Sequence, residues 1–291
     1  MTRLNPSPKN RLILILILAP ILTTFALPAT ADETTAPEPT TIRLGLGAIY
    51  LPDFEGAKDS SAYALPLLEI RNWHRFDLTI RGLSYRLYTY KNDATDPFRK
   101  LEFRFEPALS PSTRREEDIQ FLFYSSGKNK YLRGLGDIDT GLDLGTNLFL
   151  RTGPIATRLN LRQEVAGGHG GFTAELGLGT RIPLAPNTSL AIEATTTYAN
   201  DTYMDAFFSI NHKQARRSIY HPYQASAGFK NAGAALSLLH DFNNHLALFA
   251  ITSYSHLLGD AADSPLIKGP GGTQDQFTAL IGLTYTWTLN N

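Results

Sequence analysis

The chain has 291 residues, no cysteine and a formal charge of zero, with 27 basic and 27 acidic side chains. The missing cysteines exclude a disulfide framework and thiol chemistry. The balanced charge, which turns slightly acidic once residues 1–31 and their Arg3, Lys9 and Arg11 are set aside, excludes the basic footprint of a nucleic-acid binder.

Residues 1–31 read as a secretory signal peptide: a basic start, an apolar run over 12–26, and Ala29-Thr30-Ala31 as a small-x-small cleavage pattern. A membrane anchor is the competing reading, but the run is short for a span and no cysteine follows for lipidation. Residues 32–40, rich in Pro, Thr and Glu, form a flexible lead-in to one domain over 41–291.

The first strand is expected over 41–50, with Ile42, Leu44, Leu46, Ala48 and Tyr50 on one face. A loop over 51–62 precedes a second strand over 63–72. A tight turn at Asn72-Trp73-His74 then leads to a long third strand over 75–90. Its apolar phase slips at Gly82, from Phe76, Leu78 and Ile80 to Leu83, Tyr85 and Leu87, which predicts a β-bulge. A fourth strand carries Leu101, Phe103, Phe105 and Leu109. A fifth is expected over 116–124.

The clearest pattern runs from 137 to 198, where four successive segments alternate apolar and polar residues. Their breaks fall at Thr152-Gly153-Pro154, at the glycines around His169 and at 183–187. An insertion over 200–223 holds a short helical turn around 203–210. Strands over 224–240, 245–258 and the final apolar series Phe277 to Trp287 complete the chain.

A soluble sandwich would also alternate. Three features favour a closed antiparallel transmembrane β-barrel: segments of about ten residues or more, charges in mid-strand on the polar face, and alternation of short turns with long loops. The count is about 12 strands, or ten if the fifth strand and the split at 72–75 are lost. Connections at 72–74, 110–115, 152–154, 183–187 and 241–244 are then expected to face the periplasm. Those at 51–62, 91–97, 125–136, 167–171, 200–223 and 259–273 are expected to face outward.

On this topology Glu102, Arg104, Glu106, Asp139, Asp143, Arg158, Arg162, Glu164, Glu175, Arg181 and Glu193 point to the lumen. They form either a salt-bridged filling or a solute-selecting lining. Asp53, Glu55, Asp137, Asp139, Asp201, Asp205, Asp260 and Asp263 gather at the outer mouth. Carboxylate oxygens suit a hard divalent cation or a bridge to lipopolysaccharide phosphates, while Asp in such loops more often bonds its own backbone. His169, His212 and His221 lack the short spacing of a transition-metal motif. No cofactor is implied. Catalysis is not expected: neighbours Ser255 and His256 face opposite ways on a strand, Ser218, Ser226 and His221 sit in the insertion, and neither G-x-S-x-G nor H-E-x-x-H occurs.

The loops carry motifs by which the chain resembles the MipA/OmpV family of outer-membrane proteins. These are Leu51-Pro52-Asp53-Phe54-Glu55-Gly56, Leu132-Arg133-Gly134-Leu135-Gly136-Asp137-Ile138-Asp139, Gly167-Gly168-His169-Gly170, Asp201-Thr202-Tyr203-Met204-Asp205-Ala206-Phe207-Phe208 and Leu257-Leu258-Gly259-Asp260-Ala261-Ala262-Asp263-Ser264-Pro265. One departure is the end of the chain, where four residues follow Trp287. The resemblance implies an integral outer-membrane barrel in contact with lipids and lipopolysaccharide. It further implies a scaffold joining a lytic murein transglycosylase to a peptidoglycan synthase, or else an adhesin or stress-response protein. The competing reading from the residues is a narrow channel for small solutes. A scaffold contact would rest on 32–40, 110–115 and the C-terminal tail.

Overall fold

The computed structural model describes residues 39–92, 94–121 and 124–289. The expected signal peptide, most of the lead-in and the last two residues lie outside the described residues. The strands are β1 (Thr40–Pro52), β2 (Ser60–Trp73), β3 (Phe76–Thr79), β4 (Gly82–Tyr85), β5 (Tyr88–Lys91), β6 (Leu101–Pro111), β7 (Asp118–Phe121) and β8 (Tyr124–Lys128). They continue with β9 (Leu142–Thr152), β10 (Ile155–Ala166), β11 (Phe172–Ala185), β12 (Thr188–Ala199), β13 (Gly228–Asp241), β14 (Leu246–Leu257) and β15 (Asp275–Leu289).

All except β7 and β8 form one antiparallel sheet that closes on itself. One seam is β1 on β15, from Thr40↔Leu289 to Tyr50↔Ala279. The opposite wall is joined by β4 and β5, which follow one another along β6, at Leu83↔Leu109 and Tyr88↔Phe105. Counting β4 and β5 as one broken strand gives a 12-stranded barrel.

Period-2 alternation sets the two faces. Leu44, Leu46, Leu144, Leu176, Leu178, Ile281 and Leu283 are exposed on the outside, as a lipid belt requires. Aromatic pairs mark both edges of that belt: Trp73–Phe76, Phe76–Tyr85 and Tyr285–Trp287 at the short-turn end, Tyr50–Phe277 and Tyr198–Phe229 at the other. No described helix is long and apolar enough to cross a membrane.

Two expected strands differ. The segment 75–90 is a hairpin, not one bulged strand: Thr79 pairs with Gly82 across Ile80-Arg81, and Phe76 with Tyr85. The phase slip arises because the chain reverses. Gly82 sits at φ 126°, and a Cβ there would lie 2.1 Å from the Leu109 carbonyl oxygen, so the close approach of the hairpin to β6 requires glycine. The expected fifth strand leaves the barrel, since β7 pairs only with β8. One strand gained and one lost leave the total unchanged.

The same two differences exchange the ends of β6. Leu101 pairs with Thr152 and Pro111 with Leu142, so the described residues 94–100 lie at the short-turn end, and 112–121 and 124–141 at the long-loop end. The expected sides of 91–97 and 110–115 are therefore reversed. Around 110–115 the chain continues upward: Arg115 bridges to Ile138 beyond the β6–β9 ladder.

Four short helices fold into the long-loop end: α1 (Asp201–Phe208), α2 (His212–Ala215), α3 (Gly259–Asp263) and α4 (Pro265–Lys268). The expected helical turn near 203–210 is α1. Asn200 caps it, its side chain accepting from the Tyr203 and Phe172 backbone N–H groups.

Candidate functional site

The long-loop mouth is stoppered. Phe54 and Ala57 after β1, Leu132 and Leu135 before β9, Tyr203, Met204, Phe207 and Phe208 on α1, and Leu266 and Ile267 on α4 form one buried apolar cluster. His169 of the β10–β11 loop packs edge-on against Tyr203 and Phe207, at 5.0 and 5.3 Å between ring centres. Every long connection thus adds a side chain to one small core, which α1 serves through i, i+4 pairs (Tyr203–Phe207 and Met204–Phe208) on one face.

Polar groups pin this stopper to the wall. Lys230 is the extra residue of a bulge in β13, since Thr197 pairs with Asn231 and Tyr198 with Phe229. The bulge turns it inward, where it is 0% exposed. Its ammonium bonds Glu55 of the β1–β2 loop and lies 5.0 Å over the Tyr203 ring. The Tyr203 hydroxyl donates to the other Glu55 oxygen at 2.9 Å. Burial, then the adjacent Glu55 charge, push the Tyr203 phenol well above its ordinary 10.0, which keeps it a donor. Arg115 donates to the Phe207 carbonyl at 2.8 Å, and burial lowers its guanidinium to about 10. Ser264 donates to the Phe208 carbonyl at 2.6 Å.

The outer-mouth acids are distributed through this scaffold. Asp53 accepts from Ser61, Asp137 from the Glu117 N–H, Asp201 from the Ala227 N–H and Asp260 from the Ser226 N–H. Asp205 accepts from Gln224, and Asp263 pairs with Lys268. Glu55 is bound as described, and Asp139, expected also to point into the lumen, instead lies exposed in the connection before β9, because the strand begins only at Leu142. Among the described residues no three His, Asp or Glu side chains come together as a metal site. His169 accepts the Gly171 N–H at Nδ1, while His212 opens α2 and His221 bonds the Pro222 carbonyl. His256 and Tyr254 both bond Asp275, at 2.8 and 2.6 Å; Ser255 takes no part in those contacts.

Below the stopper lies a cavity of about 1040 Å³. None of the apolar stopper lines it. Its wall includes Thr41, His74, Arg75, Lys91 and Asp241 from the short-turn end, so it is a vestibule on that side. Of the expected lumen charges, Glu102, Arg104, Glu106, Arg158, Arg162 and Arg181 line it. Glu175 and Glu193 lie behind Arg158, which donates to them at 2.5 and 2.6 Å. A Cβ on Gly177 would lie 2.0 Å from a Glu193 carboxylate oxygen, so glycine there makes room for the pair. Asp143 has one buried oxygen without a partner. Glu164 faces the loop after it, accepting from the Ala166, Gly168 and Gly170 N–H groups.

The wall is richer in cations than expected: Arg43, Arg71, Arg75, Arg81 and Arg86 add to the four arginines read from the alternation. Nine arginines and Lys91 line the cavity against Glu69, Asp77, Glu102, Glu106 and Asp241. Arg43 and Arg71 share Glu69, Arg86 joins Asp77 at 3.4 Å, and Arg104 reaches Glu102 and Glu106 at 3.4 Å. Arg75 and Arg81, at the start and the tip of the β3–β4 hairpin, make no ion pair among the described residues. The only signal for them was that arginines cluster in a segment whose apolar phase breaks.

A closed antiparallel barrel with a lipid belt, aromatic girdles and a charged interior defines an outer-membrane β-barrel protein. The model of the MltA-interacting protein MipA family matches residues 44–287. The chain belongs to that family and to the outer membrane. No curated protein matches it. Among solved structures it is similar to an outer-membrane channel from Pseudomonas putida F1, with 12% identity, 89% of this chain and 100% of that one covered, and a TM-score of 0.41. It is also similar to OmpT, an outer-membrane protein of Vibrio cholerae, with 9% identity, 85% and 96% coverage, and a TM-score of 0.37. A third is an anion-selective porin from Comamonas acidovorans, with 12% identity, 85% and 98% coverage, and a TM-score of 0.30.

Proposed function

We propose that this protein is a non-enzymatic, non-conducting barrel that works toward the periplasm, anchoring a murein transglycosylase, and with it a peptidoglycan synthase, to the outer membrane. The observation that carries this reading is the asymmetry of the lumen: an apolar stopper at the long-loop end and an open charged vestibule at the short-turn end. A solute channel needs a path through both ends, and the stopper opposes it. The family's name, MltA-interacting protein, supports a transglycosylase as the partner.

A scaffold needs a contact surface beyond tight turns. The connection over 94–100 supplies one, because it lies at the short-turn end rather than outside. It contains the 3-10 turn Pro97–Arg99, and Phe98 stands 75% exposed on it. Leu87, Tyr88 and Tyr90 are exposed beside it. An exposed aromatic next to Arg99 is the composition of an interface anchor. The test is affinity capture of a purified murein transglycosylase by the detergent-solubilised barrel. Capture by the wild type that drops about tenfold or more in Phe98→Ala is expected. No capture by the wild type would overturn the scaffold reading.

A further inference from the structure

We propose that the vestibule is a binding site for a small polyanion, one carrying two or more carboxylate or phosphate groups, and that Arg81 is its anchoring cation. This inference does not depend on the scaffold reading, because it concerns the inside of the barrel rather than the exposed turn.

The charge inventory points to it. Most guanidinium groups in the cavity are neutralised in place by Glu69, Asp77, Glu102, Glu106, Glu175 and Glu193. Arg81 is not. It sits at the tip of the β3–β4 hairpin, and its own hydrogen bond is from the backbone N–H to Thr79 Oγ1. One terminal nitrogen of its guanidinium is buried with no partner. Arg158 and Arg162 line the same cavity; Glu175 and Glu193 each hold Arg158 through one oxygen, and the second Glu193 oxygen is buried without a partner. Arg162 spends its donors on Asn147 Oδ1 and the Thr146 and Leu161 carbonyls, at 2.5 to 3.0 Å.

Arg81, Arg158 and Arg162 therefore line a cavity whose ten cationic side chains outnumber the five carboxylates that line it and the two that lie behind Arg158. Like charges gathered in one vestibule repel one another, and an anion between them relieves that repulsion. Guanidinium forks match the planar oxygens of carboxylate and phosphate. A volume of about 1040 Å³ suits a small molecule and excludes a polymer. The stopper excludes entry from outside, so the ligand arrives from the periplasm. Nothing in this geometry separates carboxylates from phosphates, and the experiment does so.

The test is isothermal titration calorimetry on the full-length protein in non-ionic detergent at low salt, with citrate in one arm and pyrophosphate in the other. Saturable one-to-one binding of at least one probe is expected, and the arm that responds identifies the chemistry. Arg81→Gln should weaken it about tenfold or more, the worth of one charge-assisted contact. Lys213→Gln, exposed on α2 and outside the cavity lining, should leave it unchanged. Should Arg81→Gln fail to fold, Asn160→Asp leaves the hairpin intact and adds a negative charge to the cavity wall; it should weaken binding to a similar degree. Binding of neither probe, or binding by the folded Arg81→Gln protein as tight as wild type, would overturn the proposal.

Discussion

Lys230 and Glu55 form a buried ion pair across 175 residues of sequence, joining the bulge of β13 to the loop after β1. Lys230 is fully buried, and Glu55 is one-fifth exposed. Removing one partner strands the other charge beneath the stopper, at a cost of about 3–5 kcal/mol. Lys230→Met and Glu55→Gln should each lower the thermal unfolding midpoint in detergent. The double variant should lose less than the sum of the singles, because no uncompensated charge remains. Strictly additive losses would mean that the pair does not hold the stopper.

The stopper should also respond to acid. Burial holds the His169 imidazole below its ordinary 6.5, helped by Lys230 and opposed by Glu164 and Glu55. Its Nδ1 accepts the Gly171 N–H, which only the neutral ring can do. Between pH 6.5 and the lower folded value, the unfolded chain binds a proton that the folded one does not. Stability contributed by this histidine is therefore complete above about pH 6.5 and falls as pH drops through that window. Protease cleavage of the long loops, followed from pH 7.5 to 5, should accelerate in the wild type. His169→Gln, which keeps an acceptor but cannot titrate, should flatten that dependence.

Gly82→Val places a branched side chain against the Leu109 carbonyl at a positive φ. Both faults act at the β4–β6 seam, where only two residue pairs join the strands. Heat-modifiable gel mobility should show most of the protein failing to reach the compact, boiling-sensitive form. Normal assembly of this variant would mean that the hairpin is not part of the barrel wall.

These sites were unequally legible in the sequence. The strands β9 to β12 could be read directly, because one face meets lipid and the other water along their whole length, and their pairing keeps that phase from Arg162↔Gly145 through Thr173↔Ala199. The β3–β4 hairpin could not. Its turn, Ile80-Arg81, has no Asn-Gly or Asp-Gly mark, and a reversal shifts apolar phase just as a bulge does. Taken as one strand, the hairpin also puts 91–97 and 110–115 on the wrong sides. Lys230 was hidden for a related reason, since a bulge breaks the alternation that assigns a side chain to one face. The stopper was half visible: the helical spacing of Tyr203, Met204, Phe207 and Phe208 could be seen, while their partners Phe54, Leu132 and Ile267 come from loops that have no periodicity of their own.

The stopper core is tight enough to probe by truncation. Phe208 is fully buried, and Phe208→Ala should cost about 3–5 kcal/mol through lost contacts and a cavity. The loss should fall on the long-loop end, so cleavage within 200–227 should rise while boiling-sensitive mobility of the barrel persists. Loss of the mobility shift instead would mean that barrel and stopper fold as one unit.

The central claim, a barrel closed at its outer mouth, is tested most directly by recording single channels from the purified full-length protein in a planar bilayer. The account predicts no steady conductance from the wild type. It predicts salt-dependent, anion-preferring openings once residues 202–222 are replaced by a short Gly-Ser linker. Steady conductance from the wild type, unchanged by that replacement, would contradict it.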